Sequence, residues 1–155
     1  MHKRVLLPLD GSSLAEHALP YAVEQAKRFR SELILLRATG SSLKSSGLLP
    51  TELEGVHEQI GDWARDYLES IATWVRTQGV PVRVIVLQDP PHEAITGFAE
   101  TNGVDLIVIC SRGQSGPNRR QMGSVADRVV RGASTPVLLV QAQSNGRQQP
   151  ETSRG

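Results

Sequence analysis

Five short apolar runs punctuate the chain: RVLLPL at 4–9, ELILLRA at 32–38, VRVIVL at 82–87, DLIVIC at 105–110 and PVLLV at 136–140. They are near-continuous rather than alternating, the pattern of strands that bury both faces in a parallel sheet. The segments between them carry helical periodicity. The first, about 14–30, opens with Ser13 and Glu16 at capping-box spacing. Ala15, Ala18, Leu19, Ala22, Ala26 and Phe29 then share one face, and Pro20 inside the pattern predicts a local kink. The second, about 56–78, has a stripe of Ile60, Trp63, Ala64, Tyr67, Leu68, Ile71, Trp74 and Val75, which reads as a buried helix face rather than a binding surface. The third, about 91–102, follows Asp89-Pro90-Pro91, and proline suits a first helical turn. The fourth starts near Ser124, turns Val125, Val129 and Val130 inward, and ends near Gly132.

Strands alternating with helices predict an α/β fold with a parallel sheet and right-handed crossovers. The periodicity leaves two strand orders open, 3-2-1-4-5 and 2-1-3-4-5. Residues 39–55 form a long Ser/Gly-rich connection, and connections of that length are functional or mobile. A chain of 155 residues suits one domain, here 1–141. Residues 142–155 read as a disordered polar tail.

A net charge of +1 speaks against a general nucleic-acid binder. Cys110 is the only cysteine, which excludes an internal disulfide and a cysteine zinc cluster and fits a reduced, cytoplasmic setting. The opening is expected to carry no secretory leader, and no run approaches the roughly 20 apolar residues of a membrane span.

The chemistry concentrates where strands end. In open α/β sheets ligands sit outside the carboxyl ends of the strands, where strand order reverses. Two loops have suitable residues: PLDGSS after the first strand and CSRGQSGPNRRQMGS at 110–124. With order 3-2-1-4-5, Asp10 and residues 110–116 face each other across one crevice. Gly113 and Gly116 let backbone N–H groups approach an anion without a Cβ in the way. Gly123 and Ser124 open a helix whose first N–H groups favour negative charge, and the Ser124 hydroxyl could donate to a phosphate or help seat a nucleotide-bound ion. The main-chain amides around Gly113 and Gly123 are expected to converge on one polyanion. Arg112, Arg119 and Arg120 are candidate phosphate partners, with Arg112 nearest the strand end. Asp10 has two readings that the sequence leaves open: a side-chain cap on its own turn, or a hydrogen bond to a base or ribose.

Enzymatic chemistry has little support. No carboxylate falls within 110–126, and the Gly-Lys-Ser/Thr of a P-loop is absent. His2, His17, His57 and His92 have no metal-ligand spacing, so no protein-held metal is expected. Slow ATP hydrolysis is the most the chain would support. A phosphoryl-receiver domain shares the alternating pattern, but Asp10 stands alone after the first strand and no lysine follows the fifth.

RVLLPLDGSSLAEHALPYA, DPPHEAITGFAETNGVDLIVICSRG and MGSVADRVVRGASTPVLLV resemble, in order, the opening, middle and closing segments of the universal stress protein family, over residues 2–141. The family's nucleotide signature is glycine, two residues, glycine, nine residues, then glycine with Ser or Thr. Gly113, Gly123 and Ser124 match its second part, and Cys110 stands at the first glycine. The resemblance implies a Rossmann-like five-stranded parallel sheet of order 3-2-1-4-5 with helices on both faces. It implies ATP or another adenine nucleotide, with Mg2+ or Mn2+. Asp10 and the backbone near Pro8, Leu9 and Ala38 would contact the adenosine. Cys110, Ser111, Arg112, Gly113, Gln114, Ser115, Gly123, Ser124, Val125 and Ala126 would hold ribose and phosphates. It implies a homodimer through the last strand, Pro136 to Val140, and a regulatory role in stress response as a nucleotide-dependent switch. A dimer of the same fold that binds no nucleotide is the alternative that Cys110 motivates.

Overall fold

The computed structural model describes residues 3–40, 49–112 and 122–142. Five parallel strands form one sheet: β1 (Arg4–Pro8), β2 (Glu32–Ala38), β3 (Val82–Leu87), β4 (Leu106–Cys110) and β5 (Val137–Val140). Their order is β3-β2-β1-β4-β5. Four helices alternate with them: α1 (Leu19–Phe29, led by a 3-10 turn over Ala15–Ala18), α2 (Pro50–Thr77), α3 (Pro91–Thr101) and α4 (Ser124–Gly132). This is the expected α/β architecture, with the first of the two open strand orders realised.

The apolar runs fill both faces of the sheet. Val5, Leu7, Leu33, Leu35, Leu106 and Val108 point to one side, where Ala22, Val23 and Ala26 of α1 and Leu68, Ile71, Ala72 and Val75 of α2 cover them. Leu6, Ile34, Leu36, Ile107 and Ile109 point to the other, beneath Ala94, Ile95 and Ala99 of α3 and Ala126 and Val129 of α4. Successive strand residues thus feed separate cores, as the period of two requires.

One strand junction determines where the molecule opens. Leu9 N–H donates to the Leu36 carbonyl at 2.9 Å, whereas the Arg4 carbonyl accepts from Asp105 N–H at 2.9 Å. Odd residues of β1 therefore bond towards β2 and even ones towards β4. Pro8 is even, so its missing N–H falls on the β4 side. Accordingly β1 pairs with β2 as far as Pro8 opposite Leu36, but with β4 only as far as Leu6 opposite Ile107. Past Leu6 the two central strands part.

Local details correct several expectations. Pro20 does not kink α1; it lies in the first turn, after the 3-10 segment, where its missing N–H costs nothing. Ser13 and Glu16 form no capping box. Asp10 Oδ1 accepts from Ser12 N–H at 2.9 Å and from the Ser12 hydroxyl at 2.5 Å, and Ser12 Oγ accepts Ala15 N–H at 3.2 Å. Helix α2 begins at Pro50, not near 56, with Leu49 N–H donating to the Glu52 carboxylate at 3.0 Å. Its aromatic positions are not core: Trp63 is 63% and Trp74 45% exposed. Phe29 and Val130, placed on inner faces by the pattern, are also exposed. Beyond β2 the chain presses against the exit of β3. Thr39 N–H donates to the Leu87 carbonyl at 2.8 Å, and a Cβ at Gly40 would run into the Gln88 carbonyl oxygen. Residues 41–48 of the long connection and 143–155 of the expected tail lie outside the described residues.

Leu6 is fully buried between strands and helices, so Leu6→Ala is expected to cost about 2–5 kcal/mol in urea unfolding. Trp63→Ala, at an exposed position, should stay within about 0.5 kcal/mol. A multi-kilocalorie loss for Trp63→Ala would contradict its outward placement.

Candidate functional site

A cavity of about 470 Å³ lies over the point where β1 and β4 part. That size falls within the range of small-molecule sites. It collects residues distant in sequence: Pro8, Leu9 and Asp10 from the end of β1, Ala38 from β2, Cys110 at the end of β4 with Arg112 just beyond it, and Gly123, Ser124, Val125 and Ala126 from the start of α4. These are the described members of the expected site, with one exception. Ser111 is absent from the lining; its hydroxyl accepts Ala142 N–H at 3.1 Å and its own N–H donates to the Val140 carbonyl at 2.7 Å. Ser111 therefore ties β4 to β5. Gly113, Gln114, Ser115, Gly116, Arg119 and Arg120 lie outside the described residues.

The start of α4 carries the anion-binding character, but not through Gly123. The Gly123 N–H donates to the Ser111 carbonyl at 2.6 Å and so is already committed. That corrects the expectation that it would face a ligand. The first intrahelical bond runs from Asp127 N–H to the Gly123 carbonyl at 2.9 Å. Helix geometry leaves the N–H groups of Ser124, Val125 and Ala126 without an intrahelical acceptor, and glycine at the cap has no side chain to take them.

Asp10 takes the first of its two readings, a side-chain cap on its own turn through Ser12, and it does so at the cavity wall. Gly11 continues that turn at φ +86°, a conformation that suits glycine.

Sequence reasoning missed the walls supplied by α2 and α3 and, on β2, everything but Ala38. Arg37, Thr39, Ile60, Pro90, Pro91, His92 and Arg128 also line the cavity. The signals were present: an arginine at 37 interrupts the apolar run of β2 one residue before its end, and DPPH opens a helix directly after β3. Helix α3 thus brings its N-terminal turn to the same cavity as α4. The described lining carries the guanidinium groups of Arg37, Arg112 and Arg128 against the single carboxylate of Asp10, a balance that favours anions.

Behind this wall, Tyr67 of α2 donates its hydroxyl to Glu16 at 2.8 Å, and the Arg37 guanidinium lies 5.5 Å from the Tyr67 ring centroid. Burial, then the hydrogen bond to Glu16 and the charges of Glu16 and Asp10, push the Tyr67 hydroxyl well above the ordinary tyrosine value; Arg37 opposes them. Cys110 is 5% exposed at the end of β4. Burial pushes its thiol up, the nearby Asp10 charge adds to this, and the Arg112 and Ser111 amides pull the other way. Among the described residues no group of three His, Cys, Asp or Glu side chains could hold a metal ion, and no helix is long and apolar enough to cross a membrane.

Fold and cavity together define an open, doubly wound α/β domain with a ligand-sized space at its strand-order reversal. The chain belongs to the universal stress protein family, whose profile matches residues 1–141. It is 31% identical to universal stress protein MJ0531 of Methanocaldococcus jannaschii over 90% of this chain and 82% of that one. It is also 31% identical to universal stress protein YxiE of Bacillus subtilis, over 90% and 99%. Its structure is similar to universal stress protein UspA from Lactobacillus plantarum, with a TM-score of 0.80, 24% identity, and 90% and 97% coverage. Two further proteins of this fold were solved with adenine nucleotides. One is a universal stress protein in complex with cAMP (TM-score 0.65, 22% identity, 92% and 98% coverage). The other is a family protein from Arabidopsis thaliana with AMP bound (TM-score 0.66, 15% identity, 92% and 93% coverage).

A raised thiol pKa in the folded state has a definite sign. Its stabilising contribution is present below the unfolded thiol's value of about 8.5 and is lost as pH rises through the folded value. Between pH 8 and 10 the protein should therefore lose stability relative to Cys110→Ala, read by denaturant midpoints. A flat difference across that range would contradict a buried, protonated thiol.

Proposed function

We propose that this chain is an ATP-binding regulatory protein of the stress response that acts as a dimeric, nucleotide-dependent switch. The observation that carries the reading is the cavity itself: an arginine-rich lining, an aspartate at one strand end, and the first-turn amides of α4, which have no intrahelical acceptor, meeting at the point where β1 and β4 part. Ligand-bound proteins of the same fold support an adenine nucleotide as the occupant. Asp10, with the backbone at Pro8, Leu9 and Ala38, would receive the adenosine. Arg112 and Ser124 to Ala126 would receive ribose and phosphates, together with Gly113, Gln114 and Ser115. A nucleotide-bound Mg2+ or Mn2+ would be held by phosphate oxygens, with Ser124 the nearest hydroxyl on α4.

Magnitudes support a shared grip. Micromolar binding needs about 8 kcal/mol. The dipole of α4 supplies only about 0.3–1 kcal/mol. Charge-assisted hydrogen bonds contribute about 1.5–3 kcal/mol each, so three amides plus a guanidinium reach the required total. The absence of a carboxylate near the start of α4, apart from Asp127 within the helix, favours binding over rapid hydrolysis.

The partner proposed is a second copy, paired through β5. That strand is one edge of the sheet, and its residues are only partly covered as far as Leu139. An apolar edge with unpaired backbone groups invites strand addition. A cytoplasmic protein without nucleic-acid or membrane partners completes the reading.

A second reading has its own observation. Cys110 brings a Cβ and a thiol to the cavity lining where the family signature has glycine. On that reading the chain is a dimer that uses no nucleotide, and Cys110→Gly would create binding that the native chain lacks.

Titration calorimetry with ATP and Mg2+ separates the two. The first reading expects heat at micromolar to submillimolar ATP and a loss of roughly tenfold or more in Ser124→Ala. Silence at millimolar ATP, with heat appearing in Cys110→Gly, selects the second. For assembly, native mass spectrometry is expected to show dimers that Leu138→Asp dissociates; dimers that survive this change would place the interface elsewhere.

A further inference from the structure

The cationic lining is not gathered at one end of the cavity. Arg112 and Arg128 accompany β4 and α4, whereas Arg37 stands one residue before the end of β2, on the side covered by α2. Two strand spacings separate β2 from β4, roughly 10 Å across the sheet. Between these poles the floor is largely apolar, formed by Leu9, Ala38, Ile109 and Cys110.

Arg37 is held rather than loose. Its guanidinium lies over the Tyr67 ring, and that ring is fixed by the hydroxyl's bond to Glu16. On the other side it packs so close to Gly11 that a Cβ there would approach Nη1 to 2.8 Å. Among the described residues no carboxylate lies within ion-pair distance of it. Glu16 takes the Tyr67 hydroxyl, and Asp10 Oδ1 takes both Ser12 donors. A positioned, partly buried fork of N–H donors that lines a cavity without a carboxylate partner is suited to an incoming oxyanion.

We infer that Arg37 is a second phosphate-recognition pole, and that the cavity prefers adenine nucleotides bearing a phosphate on the ribose as well as at the 5′ position. This rests on the nucleotide reading given above. A nucleotide with only a 5′ chain satisfies the α4 pole and leaves Arg37 facing its uncharged adenosine end. With the ribose held between the α4 pole and Asp10, a 2′ or 3′ phosphate directed across the floor towards β2 supplies the missing anion. Tyr67 and Glu16 act as positioning residues for Arg37.

The test is calorimetric titration of the full chain with AMP, ADP, adenosine 3′,5′-bisphosphate and adenosine 2′,5′-bisphosphate. ADP and the bisphosphates carry the same number of phosphates but distribute them differently. At least one bisphosphate is expected to bind tenfold or more tightly than ADP. Arg37→Met is expected to abolish that ratio, and Tyr67→Phe, which releases the anchor on Glu16, to reduce it. In the native chain the Arg37 Nε–H resonance should shift with the bisphosphate and not with ADP. Equal or tighter binding of ADP overturns the inference, as does an Arg37→Met variant that weakens all four ligands alike, the result of a purely structural role. The native ranking decides the matter even if the variant does not fold. AMP needs only the α4 pole. Silence towards AMP therefore removes the nucleotide reading and this inference with it, whereas AMP binding without bisphosphate preference removes this inference alone.

Discussion

The site depends on a single missing hydrogen-bond donor. A parallel sheet left to itself keeps its central strands paired to their ends, and its carboxyl edge would then be closed between β1 and β4. Pro8 prevents this because its parity puts the absent N–H on the β4 side while Leu9 continues to bond with β2. The chain thus stays anchored on one flank and is released on the other. Strand-order reversal already sends the two crossovers to opposite faces at this junction. The proline adds depth to the crevice that topology provides, and the cavity lies directly over it.

Separating two strands exposes backbone and side-chain polar groups, and each must be satisfied or solvated. The structure meets this with short local closures. Asp10 and Ser12 close the turn after β1 and reach Ala15. Ser111 ties β4 to β5 and its carbonyl takes the Gly123 amide, which fixes where α4 begins. The Thr39 and Gly40 amides bond to the exit of β3. No buried side-chain nitrogen or oxygen among the described residues lacks a partner. At the cavity, among the described residues, the first amides of α4 have no intrahelical acceptor and the guanidinium of Arg37 has no carboxylate partner. Donors of this kind in a partly desolvated space are where binding energy is available, because elsewhere a donor has already exchanged water for protein.

The strands were legible almost to the residue, since a fully buried parallel strand must be an unbroken apolar run and few other elements look like one. The helices were legible as elements but not in their boundaries or faces. On α2 the buried arc is centred on Ala64, Leu68, Ile71, Ala72 and Val75, and Trp63 and Trp74 sit roughly 100–125° around the axis from its centre. A stripe drawn through every large apolar residue was therefore too wide, and it mistook size for burial. The start of α2 was hidden because the Ser-rich stretch before it draws attention from the Glu52 carboxylate that receives the Leu49 amide. On the cavity, Asp10, Arg112, Gly123 and Ser124 could be named because they lie in or beside glycine-bearing loops, whereas Pro8, Leu9, Ala38, Val125 and Ala126 were implied only by the family resemblance. Arg37 and His92 could not be named, because their role appears only once β2 and α3 are placed beside those loops. Strand order is the information that the periodicity lacked.

Cys110 shows how fold and site compete for one position. At the end of β4 its side chain belongs to the core beneath α1 and α2, and the residue is 5% exposed. Glycine there would leave that core without a side chain and would cost backbone entropy in a strand. Cysteine fills the space with a small, weakly polar group, and burial holds the thiol protonated, so no negative charge is added beside Asp10. A thiolate in the same place would repel a polyanion; a neutral thiol takes only volume. The substitution thus exchanges some room near the crevice for a better-packed strand end. Whatever room is lost lies on the β4 side, while the floor towards Ala38 and the wall of Arg37 are untouched by it. The pressure of that exchange on a bound ligand is therefore steric and local, not electrostatic.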